Sequence, residues 1–297
     1  MKMFQKSTDG LLNFMDLRSP VYKSIYWIMF AFLFCLSLIC ILPVIWVLLS
    51  SFKDTAEMYS VPPTLFPKSI DLGKIGEIWR IIHLGKYILN SLYIIIGCWA
   101  VDITINGFAG YVLSKIRPKG SALLETLIFW TMMLPGISMV PLYMTFVDVP
   151  LFHINLTGTF FPVWIMAGCN AFNIFLFRNF FNGIPKDYFD AARIDGCGNL
   201  GIFFRIILPL SKPLIAVVSI LSFTGSWNNF MWPYITLGNT SLEPVAVMLY
   251  QVSNSSAMLQ DNQLMLLMLL SIIPPLVIYS IFSKQIMGGF NLSGIKG

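Results

Sequence analysis

Charged side chains are scarce in this chain: Asp, Glu, Lys and Arg make up 11% of its 297 residues, roughly half of what a soluble domain carries. Histidine is scarcer still. There are two, His83 and His153, and neither has an Asp, Glu or Cys at ligand or triad spacing. The patterns HExxH, GxSxG and GxxxxGK[ST] are all missing, which argues against a metalloprotease, a serine hydrolase or a P-loop nucleotide site in this chain. No cofactor or metal is expected within it. The five cysteines, Cys35, Cys40, Cys98, Cys169 and Cys197, lie in long apolar runs or in one charged loop. Neither a disulfide framework nor a metal site follows from them. Internal repeats are also missing, and a carrier built on inverted repeats with several intramembrane charges fits poorly.

Apolar sequence takes the place of charge. Ile25–Ser51, Thr126–Val147, Ile154–Phe177, Pro213–Leu242 and Asn262–Ser283 contain no charged residue. Each exceeds the ~20 residues that span a bilayer core as a helix. Residues 88–113 form a sixth run, broken only by Asp102. The first run is too long for a signal peptide and lacks a small-residue cleavage site after it, so it is expected to stay as a span. The fold class expected is all-α: a polytopic membrane protein with six transmembrane helices. Its parts are an N-terminal arm (1–24), a transmembrane domain (25–286) and a C-terminal tail (287–297).

Basic residues are unevenly shared between the two sides. The arm, the loop at 114–122, the loop around 185–213 with Arg178 before it, and the tail with Lys284 before it together hold fourteen Lys and Arg. The other side has five, all in one loop of 52–87 that also carries four acids. The positive-inside rule puts both termini and the 185–213 loop in the cytoplasm. On the outer side, VPPTLFP (61–67) reads as extended, EIWRIIHLG (77–85) as a short interfacial helix, and 235–261 as a polar loop without Lys or Arg.

The loop DYFDAARIDGCGNLGIFFRIILPLSKP (187–213) is unlike its surroundings. Pro185 suits a first helical turn, PKDYFDAARID reads as about three turns of helix, and Gly196 can take the left-handed conformation that stops it. A second helix, LGIFFRII, is expected to end at Pro209. Ala191 and Ala192 are small enough for a groove wall to come close, and Tyr188 and Phe189 add aromatic surface. A helix this short needs something to pack on. One reading is a cytoplasmic partner. The other is the inner leaflet, against which three aspartates speak, since surface helices show a broad basic face.

The loop resembles the EAA motif of permease subunits of ATP-binding-cassette importers: Glu-Ala-Ala, three residues, Gly, nine residues, Ile-x-Leu-Pro. Asp190, Ala191, Ala192, Gly196, Ile206, Leu208 and Pro209 stand at those places, with Asp190 where the family usually has Glu. SWNNFMWP (226–233), LPGISMVPLY (134–143), FAGYVLSK (108–115) and the tail GGFNLSGIKG (288–297) are similar to the maltose-type, carbohydrate-importing branch, and to its six-span subunit. The resemblance implies a type I importer fold in a bacterial or archaeal cytoplasmic membrane, working by alternating access. It implies a second, non-identical permease subunit and two ATPase subunits that bind ATP and Mg. An extracytoplasmic solute-binding protein completes the partners; none is a nucleic acid. It also implies that Asp190, Ala191, Ala192, Arg193, Asp195 and Gly196 dock the ATPase, that Gly294, Lys296 and Gly297 reach toward the ATPase dimer, and that the 235–261 loop meets the solute-binding protein.

Within the spans, Asp102 is the one charged residue, and Asn106 lies on the same face four residues on. Such a group faces either a pathway or a partner at a subunit interface. Asn170 and Asn173 raise the same choice, with Asn173 read as an interhelical hydrogen bonder. Trp130, Trp164, Trp227 and Tyr143 are rings that could stack on sugar, or anchor at the interface; Trp227 and Asn228 belong to SWNNF. Pro135, Pro141, Pro274 and Pro275 are read as breaks in span helices, suggesting gating near the third span. An importer of a glycerol-phosphate ester is the alternative, although an anionic substrate would favour basic residues in the spans.

Overall fold

A computed structural model describes residues 20–62, 64–133, 139–255 and 259–291. Among them all regular structure is helical. The chain divides into two compact units: residues up to Asp71 with Gln260–Leu269, and Leu72–Leu259 with Leu270 onward.

The first unit holds α1 (Pro20–Ser51), α2 (Thr55–Met58) and the first turns of the last helix. The apolar stretch of α1 is exposed all round, as befits a helix whose neighbours are lipid or another chain. Beyond it the backbone is tied by polar contacts. Asn262 Nδ2 donates to Lys53 O at 3.0 Å, Thr55 Oγ1 pairs with Gln260 Oε1 at 2.8 Å, and Tyr59 OH donates to the Asp261 carboxylate.

The second unit begins with α3 (Gly73–Ile82), where a short outer helix is expected, and His83 at φ 54° turns the chain into α4 (Leu84–Ile116). Then come α5 (Ser121–Met133), α6 (Met139–Val147), α7 (Phe161–Ala167), α8 (Ala171–Asn182), α9 (Asp187–Ile194), α10 (Asn199–Leu210), α11 (Lys212–Asn228), α12 (Met231–Leu237) and α13 (Val245–Asn254). The last helix, α14, is Asp261–Asn291.

Among the described residues three helices are long and apolar enough to cross a membrane, and two bent pairs, α7 with α8 (42°) and α10 with α11 (85°), bring the total to five. Of the apolar run Thr126–Val147, the part up to Met133 lies in α5 and the part from Met139 in α6. Pro274 and Pro275 do not make the break expected of them, since they lie inside α14. Pro141 lies in α6, and Pro135 lies outside the described residues. The breaks fall instead at Gly168–Asn170, at Ser211 and at Asn229–Phe230. The 235–261 loop, read as polar, contains α13.

α4 and α8 approach closely because glycine permits it. A Cβ on Gly110 would lie 2.6 Å from Phe177 Cβ and 2.9 Å from the Arg178 amide nitrogen. A Cβ on Gly97 would lie 2.1 Å from Trp164 Nε1. Small residues supply tight interhelical packing in lipid, where apolar burial gives little driving force.

Candidate translocation cavity and docking loop

α4 widens into a π-helical turn at Asp102–Asn106, a local irregularity often found at functional sites. Asp102 and Asn106 are buried there, 2% and 0% exposed. Asn106 Nδ2 donates to Asp102 Oδ1 at 2.6 Å and to Ala167 O at 2.8 Å. From the first turn of α8, Asn173 Nδ2 donates to both Asp102 oxygens at 3.0 and 2.8 Å. Asn170 caps that helix by accepting from the Asn173 amide at 3.2 Å. A buried charge thus finds partners within the chain, and in doing so ties α4 to the break between α7 and α8.

The same carboxylate lines a cavity of about 520 Å³ that also meets Asn170, Asn173, Ser222, Ser226, Asn229 and Trp232. Two helix breaks border it, Gly168–Asn170 and Asn229–Phe230. Interrupted helices are tolerated at membrane depth where they line a cavity. Trp232 is fixed by donating from Nε1 to Pro162 O at 3.1 Å. Ser222, Ser226 and Asn229 escape a reading built on single conspicuous residues. Their spacing, i, i+4 and i+7 along α11 and into the break that ends it, is the signal that finds them.

Trp227 and Asn228 belong elsewhere. With Trp99, Phe223 and Tyr279 they line a separate, mainly apolar cavity of about 730 Å³. Trp227 stacks on Phe223 at 6.0 Å, and Asn228 Nδ2 is spent on Thr224 O at 2.9 Å. α11 therefore divides the expected pathway residues between two cavities. Of the other rings, Trp164 packs on Phe160 and Gly97, Trp130 is exposed, and Tyr143 lines a third cavity.

In the charged loop, α9 covers about two turns, Asp187–Ile194, rather than three, and Gly196 takes φ 79° as its stop. Asp190, Ala191, Arg193, Asp195 and Gly196 are exposed. Ala192 and Phe189 are not: at 4% and 5% exposure they pack inward with Tyr111, Phe181 and Phe203. Their place on a docking surface is thereby corrected, since the face they occupy is filled by this chain. Lys115 Nζ sits 4.7 Å over the Phe189 ring and donates to Ile184 O at 2.7 Å. On the water side such a buried ring contributes about 2–3 kcal/mol.

The second helix of the loop does not end at Pro209. It passes through a π-helical turn at Phe203–Ile207, in which the Leu208 amide donates to Phe203 O, and continues to Leu210. The wider turn accommodates the proline, which lacks an N–H and crowds the carbonyl one turn back. Ser211 then makes the 85° corner into α11. Gly294, Lys296 and Gly297 lie outside the described residues. His153, read as lacking an acidic neighbour, has Asp148 at 3.0 Å, both exposed. No group of three metal-binding side chains occurs among the described residues.

Residues 106–287 match the family of the binding-protein-dependent transport system inner membrane component. The chain is 30% identical over 284 residues to a polygalacturonan/rhamnogalacturonan transport system permease protein of Bacillus subtilis, covering 91% of this chain and 97% of that one. It is 29% identical over 287 residues to an arabinooligosaccharides transport system permease protein of Halalkalibacterium halodurans, covering 94% and 98%. Its fold matches a chain of a bacterial ABC transporter that imports the acidic polysaccharide alginate, with TM-score 0.78, 24% identity and coverage of 90% and 98%. This chain belongs to the binding-protein-dependent transport system inner membrane components: it is a membrane-embedded permease subunit of an ABC importer, not an enzyme.

Proposed function

We propose that this chain forms one half of the pathway of an ATP-driven importer of neutral oligosaccharides. The observation that carries the reading is the 520 Å³ cavity between two broken helices, lined by amides, hydroxyls, an indole and one carboxylate, with no Lys or Arg among its described lining. Amides and hydroxyls match sugar hydroxyls, and Trp232 offers an apolar face. An anion entering there would meet no Lys or Arg among the described lining, which disfavours the glycerol-phosphate alternative and a uronate-rich saccharide alike.

In this reading the other half of the pathway is a second, non-identical permease subunit, and the exposed apolar surface of α1 serves lipid or that subunit. Two ATPase subunits hold ATP and Mg. They dock on Asp190, Ala191, Arg193, Asp195 and Gly196, with Gly294, Lys296 and Gly297 reaching toward their interface. Six spans place both termini in the cytoplasm, and a solute-binding protein delivers substrate from outside. The test is ATP-driven uptake by the reconstituted complex in proteoliposomes, offered arabinotetraose, tetragalacturonate and glycerol 3-phosphate. Uptake of the neutral tetrasaccharide is expected. Uptake of glycerol 3-phosphate alone would falsify the reading.

A further inference from the structure

α4 runs from Leu84 to Ile116, about 50 Å at 1.5 Å per residue. Its Lys115 end contacts the docking loop through Ile184. At the opposite end a cavity of about 740 Å³ opens beside His83. Three elements each supply it a tyrosine: Tyr87 from α4, Tyr143 from α6 and Tyr234 from α12. Asn239 and Gln251 add amide groups, and no Lys, Arg, Asp or Glu is among its described lining.

This cavity is held in shape by bonds behind its wall. Glu243 is 4% exposed. Its Oε1 accepts from the Asn239 amide at 2.5 Å and from Gln251 Nε2 at 2.8 Å. Asn239 takes φ 61°, a left-handed conformation that asparagine tolerates better than most residues. Asn90 Nδ2 donates to Ser241 O and Glu243 O, each at 3.0 Å, and Ser91 Oγ accepts from the Val245 amide at 2.9 Å. The turn is therefore fastened to α4 before anything binds. Gln251, with Nε2 committed, keeps Oε1 as an acceptor. Tyr234 stacks on Phe230 at 5.2 Å and is met edge-on by Tyr250 at 5.3 Å.

Rings from several directions, amides, phenols and no charge are the groups that recognise a sugar: an apolar ring face packs on an aromatic, and hydroxyls at its rim reach phenol and amide. The volume lies within the range of about 300–1,000 Å³ typical of small-molecule sites. The two polar cavities are also consecutive along the same elements. Leu142 and Trp232 line the inner one, and Tyr143, Tyr234 and Ile235 line this one. We propose that the outer cavity is a saccharide subsite, which holds one ring of an oligosaccharide while its leading end enters the inner cavity. The proposal rests on the oligosaccharide reading above. It adds that this chain itself grips the substrate ahead of the inner cavity, so that chain length is read here.

The experiment compares a neutral disaccharide with the matching tetrasaccharide in the complete reconstituted transporter. Tyr234→Ala and Gln251→Ala are expected to slow saturated tetrasaccharide uptake about tenfold, the upper worth of one ring contact, and to leave disaccharide uptake within about twofold. Tyr234→Phe, which keeps the ring, is expected to stay near wild type. In the wild-type complex, a tetrasaccharide carrying a diazirine on its terminal ring is expected to label the peptide spanning 231–255. Labelling confined to the Asp102 cavity, or equal slowing of both sugars, overturns the outer subsite and leaves the oligosaccharide reading standing. A photoreactive group at position 234 that captures the solute-binding protein, with no sugar labelled, makes the cavity a protein contact and overturns the proposal. Absence of any saccharide uptake by the wild type overturns both.

Discussion

Asp102 sets the tightest constraint of any single residue, because a buried carboxylate persists only with partners. Its partners are Asn106, whose Nδ2 also donates to Ala167 O, and Asn173, whose Nδ2 donates to both carboxylate oxygens. Asp102→Ala leaves the buried Asn173 amide without its acceptor and the Asn106 amide with Ala167 O alone, at about 1–3 kcal/mol for each group left unsatisfied. Asp102→Asn keeps a carbonyl for one of them and is expected to cost less. Thermal unfolding of the purified chain in detergent, followed by tryptophan fluorescence, should rank wild type above Asn and Asn above Ala. Equal melting of the two variants would mean the network does not hold the break between α7 and α8. Half of this site is readable in the sequence. Asp102 and Asn106 declare themselves by falling one turn apart in an apolar run. Asn173 is visible as a polar residue in a span, but its pairing across 71 positions is a property of packing that no local pattern carries. For the same reason the sequence left Asp102 between a pathway and a subunit interface and did not show its bonds to Asn173 within the chain.

Elements were legible where a periodic or compositional signal is strong, and less so where a helix is interrupted. The apolar runs mark helices, and Gly196 marks a stop because only a residue without Cβ takes φ 79° freely. Proline misleads: within α14 the helix runs through Pro274 and Pro275, and α10 absorbs Pro209 in a π-helical turn. The real breaks sit at Gly, Ser and Asn, residues whose short side chains or lack of one leave helix termini easy to form. Glycine also sets how close α4 comes to α8. Gly110→Ala would place a methyl 2.9 Å from the Arg178 amide nitrogen, backbone that cannot swing aside. Overpacking of this kind costs about 1–3 kcal/mol. The expected result is lower yield of monodisperse protein on size-exclusion chromatography, against an unchanged profile for Gly76→Ala, where nothing lies within 4 Å. The docking helix gives a second contrast. Ala192→Leu inserts three carbons into the packed face beside Phe181 and Phe203 and should destabilise the chain itself. Ala191→Leu, on the exposed face, should leave melting unchanged while lowering ATPase co-purification. If Ala191→Leu unfolds the chain, the two faces have been assigned the wrong way round.

For the molecule as a whole the question is how a displacement of α9, the proposed docking helix, would reach the cavity beside Asp102, and the packing supplies a route. α9 rests through Phe189 on Tyr111, with ring centroids 6.5 Å apart, and Tyr111 stacks on Phe203 of α10 at 5.8 Å. Tyr111 belongs to α4, the helix that also carries Asp102, and α10 turns directly into α11, which carries Ser222 and Ser226. Any displacement of the docking helix therefore loads the two helices that border the inner cavity. A rigid lever of this type predicts that coupling and folding separate cleanly at Asp190. The residue is exposed, so its side chain does little for the fold. Lysine there would lie beside Lys186 and Arg193, four and three positions away on the helix surface, at a cost of a few tenths of a kcal/mol per like-charged pair. At the proposed ATPase contact, the same change would replace attraction by repulsion, where truncating one partner alone costs about 2–5 kcal/mol. Asp190→Lys is thus expected to insert and melt within about 2 °C of wild type while ATP-driven uptake falls at least tenfold. Asp190→Glu, one methylene longer and the residue usual in the family, should retain uptake. Restoration of uptake in the Lys variant by an acidic substitution in the facing ATPase residue would establish the ion pair directly. Normal uptake by Asp190→Lys would mean that docking is carried by the shape of the Gly196 corner and the exposed Ala191 face, with Asp190 a solvated bystander.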